Sequence, residues 1–350
     1  MTTRPRLTPA IADVRRAVRE ALVALPGLGA GSLVLVAFSG GTDSLALAAA
    51  TAFEAPRAGL RAGVAVIDHQ LQEGSTDVAT AAADQARGLG LDPVIVRQVS
   101  VGSEGGPEAA ARTARYGALA AVASELGASV ILLAHTLDDQ AETVLLGLAR
   151  GSGATSLQGM AEHTAGGAGS GALLLRPLLG IRRSTTEQFC TDSGLEPWHD
   201  PHNDDEAFTR VRIRRSLLPA LERELGPGVA EALARTAEQL REDTEALDHF
   251  AEEQVEELAE HAEAGLSLSV PGLAANPAAL RQRIIRLAVL AEFGVSLSRT
   301  HTLAIAALVT DWRGQGPIDV PGVRVGREGT RLAFRATDVG SRDTRSADAE

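Results

Sequence analysis

Two stretches of this chain bring together residue types that handle phosphate and cations. Ser39-Gly40-Gly41-Thr42-Asp43-Ser44 combines paired glycines with hydroxyls and one acid. Paired glycines let the backbone approach a ligand closely, and free N–H groups at a helix start bind phosphate. This is not a Walker A loop, because that loop needs Gly-Lys-Ser/Thr and the chain contains no lysine. It lacks the third glycine of the dinucleotide fingerprint and the Gly-x-Ser-x-Gly of a nucleophile elbow. A plain strand-to-helix turn is the ordinary alternative. The second stretch is His135-Thr136-Leu137-Asp138-Asp139-Gln140-Ala141-Glu142-Thr143. Asp138 and Glu142 are four residues apart and Asp139 and Glu142 three, so on a helix these acids lie close together on the first turn. Acids at a helix start also complement the dipole without any further role. Their clustering with His135 favours a cation, and Mg²⁺ takes one or two carboxylates plus nucleotide phosphates.

The elements that must position these residues follow from hydrophobic pattern. Leu33–Ala37 is a continuous apolar run, as in a strand buried on both faces. Leu45–Phe53 then reads as a helix, so the glycine pair sits between strand and helix. Further strands are expected at Gly63–Ile67, Val94–Val99 and Val130–Ala134, and helices at Thr8–Leu25, Thr76–Leu89, Glu108–Leu126 and from about Asp138. This alternation indicates an α/β fold with a doubly wound parallel sheet. Asp68 and His69 fall at the carboxyl end of the second strand, the edge where such sheets bind ligands, and are expected at the nucleotide site. Gly151–Gly171 reads as a loop after Met160, Leu173–Leu175 as an edge strand, and Ser184–Ser193 as a short helix. Composition shifts near Leu218. The expected division is a nucleotide-binding domain over 1–218, a smaller helical domain over 219–315, a short β-rich element over 316–336 and a disordered tail over 337–350.

Ser39–Ser44 resembles the Ser-Gly-Gly-x-Asp-Ser loop of the PP-loop ATP pyrophosphatases, which split ATP between the α and β phosphates. With His-x-x-Asp-Asp-Gln-x-Glu-Thr after it, the chain resembles the tRNA(Ile)-lysidine synthases. Three further stretches carry that likeness: Ala110–Tyr116, Gly151–Met160 and Arg176-Pro177-Leu178-Leu179. So does the Asp200–Asp205 segment with Arg210-Val211-Arg212. Ser156 and Val211 depart from the family pattern, which has Gly and Asn there. The likeness covers about Leu33–Leu221 and implies adenylation of the C2 oxygen of the cytidine in the first anticodon position, then attack by the lysine ε-amine. The expected cofactors are ATP and Mg²⁺. The expected partners are tRNA(Ile) with a CAU anticodon and L-lysine, with a homodimer as the assembly to test.

Chemistry and the resemblance together assign roles. The N–H groups of Gly40, Gly41, Thr42, Asp43 and Ser44, with the Ser39 and Ser44 hydroxyls, would hold ATP phosphates. Asp43 and Asp139 are the expected Mg²⁺ ligands. Arg112 would meet pyrophosphate or the lysine carboxylate, Glu142 the lysine amine, and Asp138 and His135 would support the chemistry. Arg176, Arg210, Arg212, Arg214 and Arg215 are expected on tRNA phosphates. A helix balanced by Asp204, Asp205 and Glu206 is the bland alternative for the last four.

The net charge of −12 argues against nucleic acid when taken alone, yet all 33 basic residues are arginine, the side chain that grips phosphate in a bidentate way. The single cysteine, Cys190, excludes an internal disulfide framework and any multi-cysteine metal site, and it disfavours a tRNA thiolase. A non-catalytic nucleotide-binding protein is the rival from another class. No apolar stretch reaches membrane-spanning length and no signal-peptide pattern is seen, so a cytoplasmic protein is expected.

Overall fold

In the computed structural model, the residues described are 7–70, 74–100, 102, 106–151, 153–166, 171–262 and 265–337. They form two compact units that divide between Arg241 and Glu242. The tail expected over 337–350 lies, beyond its first residue, outside the described residues.

The first unit alternates strand and helix as its apolar runs dictate. In order come α1 (Pro9–Ala24), β1 (Leu33–Phe38), α2 (Thr42–Glu54), β2 (Arg61–Asp68), α3 (Ser75–Gly88), β3 (Val94–Gln98), α4 (Pro107–Leu126), β4 (Val130–Leu132) and α5 (Leu137–Ala149). Then follow α6 (Ala154–Leu157), β5 (His163–Ala165), β6 (Leu173–Leu175), α7 (Arg183–Ser193), α8 (Thr209–Arg212) and α9 (Leu218–Leu225). The strands make one sheet in the order β3-β2-β1-β4-β6-β5. All neighbours are parallel except β5, which runs antiparallel to β6. Leu173–Leu175 is therefore an interior strand. The edge is His163–Ala165, a polar triplet with no apolar alternation to betray it.

Residues of β1 alternate between two cores. Val34 and Val36 pack with α1, α2, α3 and α7, while Leu33 and Leu35 pack with α4 through Leu119, Val122 and Ala123. Burial on both faces is what its unbroken apolar run encodes. The chain winds outward from β1 through β2 to β3, then returns to place β4 on the other flank of β1. That reversal is the switch point at which open α/β sheets bind ligands. It sets the loop after β1 beside the loop after β4, so the two sequence stretches meet.

A 30-residue helix, α10 (Val229–Leu258), leads into the second unit. There β7 (Ala259–Ala262), β8 (Gly265–Ser269), α11 (Val270–Ala275), α12 (Ala278–Phe293), α13 (Arg299–Thr310), β9 (Ile318–Val320), β10 (Val323–Glu328) and β11 (Arg331–Ala336) follow. The strands form an antiparallel sheet, β7-β8-β11-β10-β9. Its inner side chains, among them Leu266, Leu268, Val325 and Phe334, share a core with Ile284, Ile285 and Ile305 of the helices. The unit is thus helix and sheet together, and the C-terminal strands join residues 259–269 instead of standing apart. Among the described residues no helix is long and apolar enough to cross a membrane.

Candidate active site

The β1–α2 loop is shaped by its own hydroxyls. Ser44 Oγ donates to the Gly41 carbonyl at 2.9 Å and accepts from the Ser39 N–H at 3.2 Å. The two serine hydroxyls lie 3.1 Å apart. Gly40 takes φ +77°, a left-handed value that disfavours any residue with a Cβ, and its carbonyl accepts from the Trp198 N–H at 2.9 Å. Gly41 is the N-cap of α2, and no side chain caps that helix. The first-turn N–H groups therefore have no side-chain acceptor, as a phosphate cradle requires.

Opposite this loop, Thr136 and Asp139 form a reciprocal capping box at the start of α5. The Thr136 N–H and hydroxyl donate to Asp139 Oδ2 at 2.8 and 2.9 Å. This fixes one carboxylate oxygen and leaves the other, Oδ1, to Arg183 and Arg214. Arg183 sits between the two stretches. Its guanidinium contacts Asp43 Oδ2 at 3.4 Å, Asp139 Oδ1 at 3.0 Å and Glu142 Oε1 at 3.3 Å. Arg214 grips Glu142 at 2.8 and 3.2 Å and reaches Asp139 at 3.4 Å, and Arg210 lies 3.9 Å from Glu142. Glu142 is fully buried. Asp138 accepts from the Arg183 backbone N–H at 2.7 Å and lies 3.3 Å from Arg182, so it anchors the start of α7.

The electrostatics differ from acid to acid. Burial pushes the Asp43 carboxyl above its ordinary value despite the Thr186 hydroxyl and Arg183 beside it. Burial acts the same way on Asp139, but Arg183, the Thr136 N–H, His135 and Arg214 outweigh it and hold that carboxyl low. Arg183 is raised; burial opposes its charge, and Asp139, Glu142 and Asp43 more than compensate.

The other expected residues divide. Asp68 is buried and accepts from the Gln70 N–H at 3.0 Å and the Thr76 hydroxyl at 3.1 Å, so it ties down the turn after β2. His69 and His135 each have a buried Nδ1 without a partner. Burial lowers both imidazoles, His135 to about 3, leaving them neutral. Arg112 lies beside Tyr116, and Arg176 is buried, donating to the Ala161 carbonyl at 2.8 Å. Of the basic cluster, Arg210 and Arg214 turn in to Glu142, while Arg212 and Arg215 are exposed. Arg212 donates to the Glu206 and Ala207 carbonyls, and Arg215 pairs with Asp204 at 2.9 Å.

The glycine-rich loop is pinned by Gln140, whose amide exchanges hydrogen bonds with Met160 at 2.8 and 2.7 Å. Gly159 must lack a side chain there, since a Cβ would lie 2.5 Å from Gln140 Oε1. Ser152 of this loop lies outside the described residues. Ser156 is exposed on α6, where a side chain has room, and Val211 is buried on α8.

Sequence reasoning missed Arg182, Arg183 and Thr186. A signal existed. Arg182 and Arg183 open a helix, where a cation opposes the dipole. Such misplaced charge follows a strand of the sheet and needs acids in front of it.

The comparisons agree with this geometry. A family model described as a PP-loop domain matches residues 14–221, and one described as a TilS substrate binding domain matches residues 268–332. Among solved structures, the U34-tRNA thiolase NcsA from Methanococcus maripaludis superposes with a TM-score of 0.55 over 67% of this chain and 80% of its own, at 19% identity, a likeness of fold. A tRNA(Ile)-lysidine synthase of Leifsonia xyli is 65% identical over 88% of this chain and 91% of its own length. One of Thermobifida fusca is 53% identical over 91% and 95%. With the loop after β1, the acids after β4 and this extent of identity in place, the chain belongs to the tRNA(Ile)-lysidine synthase family.

Proposed function

We propose that the protein joins L-lysine to tRNA(Ile) bearing a CAU anticodon, using ATP to adenylate the C2 oxygen of the first anticodon cytidine. The observation that carries this reading is the gathering of Asp43, Asp139 and Glu142 on one guanidinium at the switch point of the sheet. Ser39 through Ser44 would cradle the phosphates with N–H groups and hydroxyls. Asp43 and Asp139 fit Mg²⁺, because both already flank a single cationic group and Mg²⁺ needs few protein carboxylates when phosphates supply the rest. Mg²⁺ bound there would neutralise charge on the departing pyrophosphate.

Glu142 is the group for the lysine amine. Its carboxylate can hold the ε-ammonium and take up its proton, and an ammonium must lose a proton before it attacks. Arg183 and Arg214, already on this acid, fix the position of its carboxylate. Asp138 acts through position, holding Arg182 and the start of α7. Arg212 and Arg215 are exposed for RNA phosphates, with the second unit contributing to tRNA binding. A cytoplasmic location and a homodimer complete the reading.

A thiolase-like second reading meets an obstacle in Cys190, which is buried with Sγ 3.6 Å from the Thr42 carbonyl. Burial pushes that thiol up to about 12, far from a reactive thiolate. The test offers isoleucine tRNA with a CAU anticodon, ATP, Mg²⁺ and labelled lysine. Stable label in the tRNA with AMP and pyrophosphate released is expected. Cleavage of ATP with no label transferred would refute lysidine formation.

A further inference from the structure

We propose that Arg112, Arg115, Arg176 and Tyr116 form an oxyanion subsite that receives a phosphodiester of the RNA substrate. The proposal rests on the tRNA-modifying reading and adds a place for the RNA backbone.

The arginines of the carboxylate cluster all have acidic partners: Arg182, Arg183, Arg210 and Arg214 each lie within 4.0 Å of a carboxylate. Among the described residues, Arg112, Arg115 and Arg176 have none. They converge on one phenol instead. The Arg112 guanidinium lies 5.1 Å from the Tyr116 ring centroid, with Nη2 3.5 Å from the hydroxyl, and Arg115 lies 5.4 Å from the same centroid. Arg176, 6% exposed, stands beside that phenol, and its buried Nε has no partner. Arg115 Nε is likewise buried and unsatisfied. Burial alone would push the Tyr116 phenol up, yet the three cations bring it below its ordinary value.

Gathered guanidiniums repel one another, and buried donors left unpaired are costly. A chain of net charge −12 has acids to spare for such a cluster, but among the described side chains no carboxylate forms an ion pair with these three arginines. An oxyanion supplied from outside satisfies both needs. Arginine suits a phosphodiester by bidentate hydrogen bonding. The Tyr116 face and the neutral His69 and His135, each with a free Nδ1, suit the base and ribose that come with it. A free amino acid fits less well. Its α-ammonium would enter beside its carboxylate, into a cluster that already holds three cations. The phosphates of ATP have their own cradle after β1.

The test uses the full chain and an anticodon stem–loop RNA with a CAU loop, titrated by fluorescence between about 50 and 200 mM KCl. Arg115→Gln should weaken binding roughly tenfold and reduce the slope of log K against log salt by about one unit. Arg115→Lys should keep most of the slope. ATP affinity and the KM for lysine should stay at wild-type values. An unchanged slope in folded protein overturns the proposal. A raised lysine KM with unchanged RNA binding assigns the cluster to the amino-acid carboxylate, and weakened ATP binding assigns it to the nucleotide; either also overturns it. Arg112→Gln, at an exposed position, carries the RNA salt-slope reading alone if Arg115→Gln does not fold. Failure of the wild type to transfer lysine while it still binds RNA would refute the reaction and leave the subsite standing.

Discussion

Arg183→Gln tests whether the carboxylate cluster is held by one internal cation. In the wild type that guanidinium meets Asp139, Glu142 and Asp43 at 3.0, 3.3 and 3.4 Å. Deleting one partner of a buried ion pair costs about 3–5 kcal/mol, because the other charge is left uncompensated. Here the loss is smaller. Arg214 stays on Glu142 and Asp139, and the Thr186 hydroxyl stays on Asp43. Roughly half of that cost, about 2 kcal/mol, is the expected destabilisation. For a unit of this size it corresponds to a fall in Tm of about 4–8 °C, read by calorimetry. Mg²⁺ should then recover stability in the variant more than in the wild type, because Asp43 and Asp139 lose the cation that competes for them. A site of about 1 mM affinity filled at about 10 mM contributes about 1.4 kcal/mol. A Tm within a degree or so of wild type, or a variant that Mg²⁺ leaves unmoved, would refute this account of the cluster.

Three other perturbations probe separate parts of the site. Gly40→Ala has room for its Cβ, 3.4 Å from Ala82 Cβ, so the φ of +77° alone should cost about 1–2 kcal/mol in urea unfolding, together with weaker ATP binding. Asp68→Asn should cost about 1–2 kcal/mol at pH 7. Hydrogen bonds from the Gln70 N–H and from Ser75, Thr76 and Gln98 overcome burial and hold this carboxyl below its ordinary value. Its stabilisation is therefore full above the unfolded value and is lost as pH falls through the folded one, so wild type and variant should converge in acid; a gap that persists there contradicts the assignment. Glu142→Gln should raise the KM for lysine roughly tenfold or more while ATP still binds, and an unaltered lysine KM would remove Glu142 from amine binding.

Much of the first unit was legible because burial on both faces writes itself as unbroken apolar runs, as in Leu33–Val36. The edge strand β5 was not, since His163-Thr164-Ala165 carries no pattern and is specified by pairing with Leu173–Leu175. In the second unit, Leu266-Ser267-Leu268-Ser269 has the period of a strand, but it is short and lies between the long helical patterns of α10 and α12. The glycine loop after β1 and the acids after β4 were readable from residue type and spacing. The directions of the arginines were not. Arg210 and Arg214, four apart, both reach Glu142, and Arg214 does so from within a π-helical turn, Ile213–Leu217, that precedes the next regular helix. Arg183 acquires its role only when α7 is laid against α5, a tertiary event that no local spacing encodes.

The guanidinium collar around Glu142 has a chemical consequence apart from charge. Arg183, Arg210 and Arg214 surround the acid proposed to receive an amine, and no side chain in the whole sequence is a lysine. A guanidinium stays protonated at any pH at which the protein is folded, and it offers no lone pair to an electrophilic carbon. Walls built from lysine would present primary amines of the same kind as the proposed substrate. They would capture the activated cytidine and leave the protein covalently joined to its RNA. Arginine walls carry the same positive charge with no such self-trapping, so an amine that completes the proposed reaction has to arrive from solution.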